Sequence, residues 1–126
     1  MTDHETHVLL VDDDQFLRRY IAQALEKIGL KVLHANCYAV AMELLTTHDI
    51  RVGIIDLALP DRSGIELLQQ IRSLPQYAQL PIIVQSGFGD RHLPELLACL
   101  PIAILQKPFP LDDLKYHVKE ALTRVR

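Results

Sequence analysis

The sequence predicts a doubly wound α/β fold of five strand–helix units, and three observations point to it. Five short β-rich runs alternate with longer stretches of helical period. Each short run is almost continuously apolar, as expected of parallel strands covered by helices on both faces. The 126 residues, 49% hydrophobic and 23% charged, suit one ordinary domain with a filled core and no compositional disorder.

The strands are read as HVLLVD (7–12), KVLHA (31–35), RVGIID (51–56), LPIIVQS (80–86) and IAILQ (102–106). The first helix, over 15–28, places Leu17, Ile21, Leu25 and Ile28 on one face. Asp14 suits its N-cap, and Gly29 suits a left-handed stop. The second, over 38–47, carries Val40, Met42, Leu44 and Leu45. The third opens with SGIE, in which Ser63 and Glu66 fit a capping box, and turns Leu67, Ile71 and Leu74 inward. The fourth, over 93–100, offers Leu93, Leu96, Leu97 and Leu100, with Pro94 confined to its first turn. The fifth has the most regular period, through Leu111, Leu114, Val118, Leu122 and Val125. Asp112 and Asp113 lie at its positive end. No repeat, linker or second domain is read, so residues 1–126 are expected to form a single domain with its core over 7–125.

Composition narrows the function. A net charge of −3 gives no basic surface for nucleic acid. No apolar run approaches the roughly 20 residues of a membrane helix, and the polar MTDHETH start has no signal-peptide core, so a cytoplasmic protein without membrane insertion is expected. Cys37 and Cys99 form no CxxC pair and read as small packing residues of a reduced compartment. The six scattered histidines show no metal-ligand spacing.

The polar residues collect at strand ends, where open α/β sheets place their sites. Strand one runs into Asp12, Asp13 and Asp14, strand three ends in Asp56, strand four in Ser86, and strand five one residue before Lys107. Two carboxylates about 5 Å apart repel by roughly 3 kcal/mol at an effective dielectric of about 20. Such a cluster needs a cation. Asp12, Asp13 and Asp56 sum to −3, and Lys107 with one Mg²⁺ sums to +3. Oxygen-only ligands suit Mg²⁺ better than zinc. Without the ion, at least one carboxyl is expected to titrate high.

The segments VLLVDDD, IIDLALPDRSGIEL, PIIVQSG and LQKPF together resemble the receiver domain of two-component response regulators, over about residues 7–125. The resemblance implies a flavodoxin-like (βα)5 fold with the strand order of the family's chemotaxis member, 2-1-3-4-5. That order brings the four polar strand ends to one pocket. It implies that Asp56 is the phosphoacceptor for a phosphohistidine carried by a histidine kinase or a histidine phosphotransfer protein. Asp13, Asp56 and the backbone carbonyl of Ala58 would bind Mg²⁺, and Asp12 would hold a metal-bound water. Lys107 would pair with Asp56 or a phosphoryl oxygen, Ser86 would bond the phosphoryl group, and the Lys107–Pro108 bond would be cis. The protein would then signal, catalysing only its own phosphorylation and dephosphorylation.

Some positions depart from the family pattern. Ile104 replaces the usual aromatic three residues before the lysine, which puts the usual inward swing in doubt; a plain core residue is the alternative. Gly87 leaves more room over the site than the usual alanine. Ala58 lacks a group that would position an attacking water, and Phe88 would shield the site, which predicts slow self-hydrolysis. The segment LPELLACLPIAIL (93–105) is unusually apolar. It reads either as a deeply packed helix or as a docking face, between the fourth and fifth helices, for a downstream protein or a second copy. Two other functions compete. A degenerate receiver would bind partners without taking phosphate. A haloacid-dehalogenase-type phosphatase would use the Asp12-x-Asp14 pair, with Asp12 as nucleophile.

Overall fold

The computed structural model describes residues 7–87 and 93–123. The expectations for Phe88, Val125 and the Leu93 side chain lie outside the described residues. Strands β1 (His7–Val11), β2 (Lys31–Ala35), β3 (Ile50–Asp56), β4 (Ile82–Ser86) and β5 (Ala103–Gln106) alternate with helices α1 (Gln15–Glu26), α2 (Tyr38–Thr47), α3 (Gly64–Ser73), α4 (Leu93–Ala98) and α5 (Leu111–Thr123). The strands form one sheet in the order β2-β1-β3-β4-β5, every pair parallel.

Alternation along the strands divides the core in two. Val8, Leu10, Ile54 and Ile83 pack with Ile21, Leu25, Leu114 and Val118 on the α1–α5 face. Leu9, Val11, Ile55 and Val84 pack with Leu45, Leu67, Ile71 and Leu96 on the other. Val8 to Val11, Val52 to Asp56 and Ile82 to Gln85 are therefore buried on both faces of the sheet, which explains the apolar runs; Arg51, at the start of β3, is exposed. The edges differ from that expectation. In β2 and β5 exposed or half-buried residues interrupt the run, because nothing pairs beyond them.

Local signals set the helix ends. Asp14 accepts from the amides of Phe16 (3.0 Å) and Leu17 (3.1 Å) at the start of α1. Gly29 has φ +90°, a region in which only glycine escapes strain. The Ser63–Glu66 capping box is complete. The α1 stripe stops at Leu25, and Ile28 beyond it is exposed. In α2 the buried residues are Ala41 and Leu45, with Val40, Met42 and Leu44 only partly covered. Leu74 is extended because Pro75 follows it, so α3 ends at Ser73 and a 3-10 turn takes over at Pro75–Tyr77.

Candidate functional site

Strand geometry brings the acidic residues together before any side chain acts. The Asp12 amide donates to the Ala35 carbonyl at 3.0 Å, which extends the β1–β2 ladder by one residue. Asp12 therefore leaves the sheet beside Asp56, the last residue of the neighbouring strand β3. Both side chains are buried, and that of Asp13 is exposed. Carboxylate oxygens of Asp12, Asp13 and Asp56 lie within 4.8 Å of one another.

Lys107 reaches this cluster from the far side of the sheet. Its amide donates to the Ser86 carbonyl at 2.8 Å, which aligns it with the end of β4, and the Lys107–Pro108 peptide is cis. Its ammonium donates to Asp56 Oδ2 at 2.7 Å and to Asp12 Oδ2 at 3.1 Å. The remaining oxygens take backbone amides. Asp14 N–H donates to Asp12 Oδ1 at 2.9 Å, and Ala58 N–H donates to Asp56 Oδ1 at 3.1 Å.

The electrostatics follow from burial and pairing. Burial pushes the Asp12 carboxyl up, the Asp56 charge adds to that, and the Asp14 amide and Lys107 only partly oppose it. Burial alone would lower the Lys107 ammonium, but the hydrogen bond and charge of Asp56, followed by those of Asp12, hold it above its ordinary value. Three carboxylates against one ammonium leave the cluster net negative. An all-oxygen donor set with one buried acid that resists ionisation fits a hard divalent cation such as Mg²⁺.

Ser86, at the end of β4, is half-buried, and its hydroxyl donates to the Gly87 carbonyl at 3.2 Å. The structure thus brings Asp12, Asp13, Asp56 and Lys107 into one cluster, attaches Ala58 through its amide, and sets Ser86 beside it through the Lys107 backbone.

Known proteins resemble this chain in sequence and fold. The sequence model of the family described as the response regulator receiver domain matches residues 8–119. The chain belongs to that family. It is 34% identical over 122 residues to the KDP operon transcriptional regulatory protein KdpE of Escherichia coli, covering 94% of this chain and 52% of KdpE, so it spans about half that relative's length. It is 33% identical over 116 residues to the response regulator receiver protein CpdR of Brucella abortus, covering 91% of this chain and 95% of CpdR. A crystal structure of a CheY-like receiver domain protein from Methanospirillum hungatei superposes with a TM-score of 0.87 at 26% identity, covering 94% of each chain.

Several residues of this receiver domain shape the site without having been singled out from the sequence. Gly64 lets α3 start against the end of β3. A Cβ there would lie 2.6 Å from Leu57 Cα and closer still to the Asp56 carbonyl. Asp61, in the loop after Asp56, accepts from the amides of Tyr38 (2.9 Å) and Ala39 (3.1 Å), and these bonds hold its carboxyl below the usual range. It thereby caps α2, whose own N-cap residue, Cys37, supplies no side-chain bond. Arg62, the next residue, lies over the Tyr38 ring at 4.2 Å. Arg18 braces the acidic loop from α1, donating to the Asp12 carbonyl at 2.6 Å and to His34 Nδ1 at 3.2 Å. Gln85, in register with Asp56, is fully buried. The Gly64 position could have been read from the G of SGIE beside a strand end; the others leave no local pattern.

Two surfaces of the receiver domain flank the centre. Leu17, Tyr20, Ile21, Pro108, Phe109 and Leu111 line a groove of about 290 Å³ between α1 and the start of α5, with Lys107 at its wall. On α4 and after it, Leu96 and Cys99 pack into the core while Leu97 and Leu100 are exposed, so the segment is buried through one face and open on the other. Ile104 is also exposed and not a plain core residue. Among the described residues no helix is long and apolar enough to cross a membrane.

Proposed function

We propose that Asp56 accepts a phosphoryl group from the phosphohistidine of a histidine kinase or phosphotransfer protein, in the cytoplasm, and that the acyl phosphate shifts the domain between two packings. The observation that carries this reading is the Lys107 ammonium bonded to both Asp12 and Asp56 at the carboxyl end of the sheet. Asp13, Asp56 and the Ala58 carbonyl would hold Mg²⁺, and Asp12 would hold one of its waters. When bound, Mg²⁺ supplies positive charge to the phosphoryl oxygens.

In the transfer, an Asp56 oxygen attacks phosphorus in line. The phosphorus–nitrogen bond breaks, and its electron pair leaves with the imidazole. Lys107 follows the developing charge to a phosphoryl oxygen, and Ser86 donates its hydroxyl to another. The acyl phosphate carries about −2 where the carboxylate carried −1, so a neutral centre becomes about −1 and draws donors inward. That imbalance favours a population in which the β4–α4 and β5–α5 units have rearranged. Ala58 offers no group to position a hydrolytic water, which supports a long-lived acyl phosphate.

The phosphohistidine-bearing partner is assigned to the apolar groove beside Lys107, because a helix seated there would present its histidine next to Asp56. A downstream protein or a second copy would use the exposed residues of the α4–α5 face. The test is acetyl phosphate with Mg²⁺, read by intact mass and peptide mapping. The wild-type chain should be labelled at Asp56, and Asp56→Asn should carry no label while keeping its circular dichroism. Label on Asp12 would support the phosphatase reading, and no label on the wild type would support a phosphate-independent binding module.

A further inference from the structure

Gln85 stands apart from the apolar residues around it in β4. Its side chain is fully buried, and neither the amide nitrogen nor the amide oxygen has a hydrogen-bond partner. No other buried side-chain polar atom among the described residues shares that condition. The backbone of Gln85 pairs within the sheet, between β3 and β5, and its carbonyl accepts from the Leu57 amide at 3.1 Å. The unmet need therefore belongs to the side chain alone. An orphaned buried amide is unfavourable, and leucine or isoleucine at this place would avoid the loss.

The register places this amide. Gln85 pairs with Asp56 on one side and Leu105 on the other. Paired residues of a parallel ladder face the same way, and adjacent strands lie about 4.8 Å apart. The Gln85 side chain thus shares the sheet face of Asp56 and lies one strand away from it. Both Asp56 oxygens are already engaged, Oδ1 by the Ala58 amide and Oδ2 by Lys107. The Gln85 amide bonds neither of them while Asp56 is a plain carboxylate.

We propose that the Gln85 amide is a further hydrogen-bonding group of the phosphoacceptor site, partnered only once Asp56 carries phosphorus. The inference rests on the phosphoacceptor reading above. When one Asp56 oxygen becomes the bridge to phosphorus, the negative charge moves onto the phosphoryl oxygens, and Lys107 follows it. With Oδ1 as the bridge, Oδ2 stays a carbonyl acceptor and loses its ammonium partner. The Gln85 N–H donates to it from the neighbouring strand. No atom is transferred by Gln85; one hydrogen bond replaces another, and the buried amide nitrogen gains a partner. The residue thereby favours the phosphorylated state by relieving a defect of the unphosphorylated one.

The test compares the wild type with Gln85→Met, which keeps the length of the side chain and removes the amide. Beryllofluoride with Mg²⁺ serves as the phosphoryl probe. Gln85→Met should raise the unfolding midpoint of the unmodified domain and raise the half-saturating beryllofluoride concentration about fivefold, the effect of one neutral hydrogen bond. In the wild type the Gln85 side-chain NH₂ resonance should move when the probe binds. An unchanged half-saturation, a lowered midpoint of the unmodified variant, or a silent NH₂ resonance would each overturn the proposal. The resonance is measured on the wild type, so a variant that fails to fold does not remove the test. A wild-type chain that takes up no beryllofluoride overturns the phosphoacceptor reading and this inference with it.

Discussion

The two sides of the sheet around Asp56 are built to different standards. On the β1–β3 side, Val8 to Val11 and Val52 to Asp56 are buried, and α3 runs ten residues with a complete capping box and Leu67, Leu68 and Ile71 fully covered. On the β4–β5 side, β5 alternates half-buried and exposed residues, and α4 covers six of the described residues. Leu97 is 52% exposed and Leu100 73%. Leu100 also adopts φ +56°, a left-handed conformation that costs a residue with a Cβ. What holds this segment is Arg72, which donates to the carbonyls of Cys99 (2.7 Å) and Leu100 (3.2 Å) from α3. Elements with few buried contacts open most easily. Asp56 is held on the tightly packed side, and the loosely packed side lies across β4 from it.

The contrast can be broken at its tight end first. Gly64→Ala would drive a Cβ into the backbone of Asp56 and Leu57, where no flexible side chain can give way. The substitution should lower stability by about 2–3 kcal/mol, as overpacking does elsewhere, and it should weaken Mg²⁺ binding. Denaturant unfolding and calorimetry measure both, and an unchanged midpoint would show that the β3–α3 junction is not rigid. At the loose end, Leu100→Gly should raise stability by about 1 kcal/mol by relieving the left-handed strain, with labelling of Asp56 retained. A loss of stability there would mean that Leu100 is packed more firmly than its exposure indicates.

The smallest effect lies at the β2 rim. Partial burial, and then the Arg18 guanidinium, lower the His34 pKa from its ordinary 6.5; Arg19 acts in the same direction and Glu26 against it. The folded state thus prefers the neutral ring, which accepts from Arg18 Nε. The resulting stability is fully present above pH 6.5 and is lost as the pH falls through the lower folded value. Between about pH 7.5 and pH 5.5 the wild-type unfolding midpoint should fall more than that of His34→Gln. Parallel slopes would remove His34 from the account.

The sheet was legible because the central strands write their position into continuous apolar runs. So were the ends of α1 and α3, where Asp14, Gly29 and Ser63 act within a few residues of their targets. The strand-end polar residues were legible for a related reason: parallel topology places strand ends side by side whatever separates them along the chain. Other features left no local trace. β5 reads as apolar but lies at an edge, and periodicity carries no information about which strand has a neighbour. The Arg72 bonds join residues 27 and 28 positions apart. Gln85 sits inside a run whose composition marks it as core, and only the bonding of its amide distinguishes it. The sequence of α2 marks no single inward stripe because apolar residues lie all around that helix, so its inward face, with Ala41 and Leu45, is set by packing.

The cap that Asp61 places on α2 has a consequence for how the chain assembles. Its acceptor lies 23 residues after Tyr38, beyond the whole of β3. The second helix cannot finish its first turn from its own segment, so its amino end should fray until the central strand has added to the sheet and the following loop has closed. A truncated peptide ending before residue 61 should therefore show that turn only weakly. The segment bearing Asp56 would then take its final shape in the same cooperative event that completes a helix on the opposite side of β1.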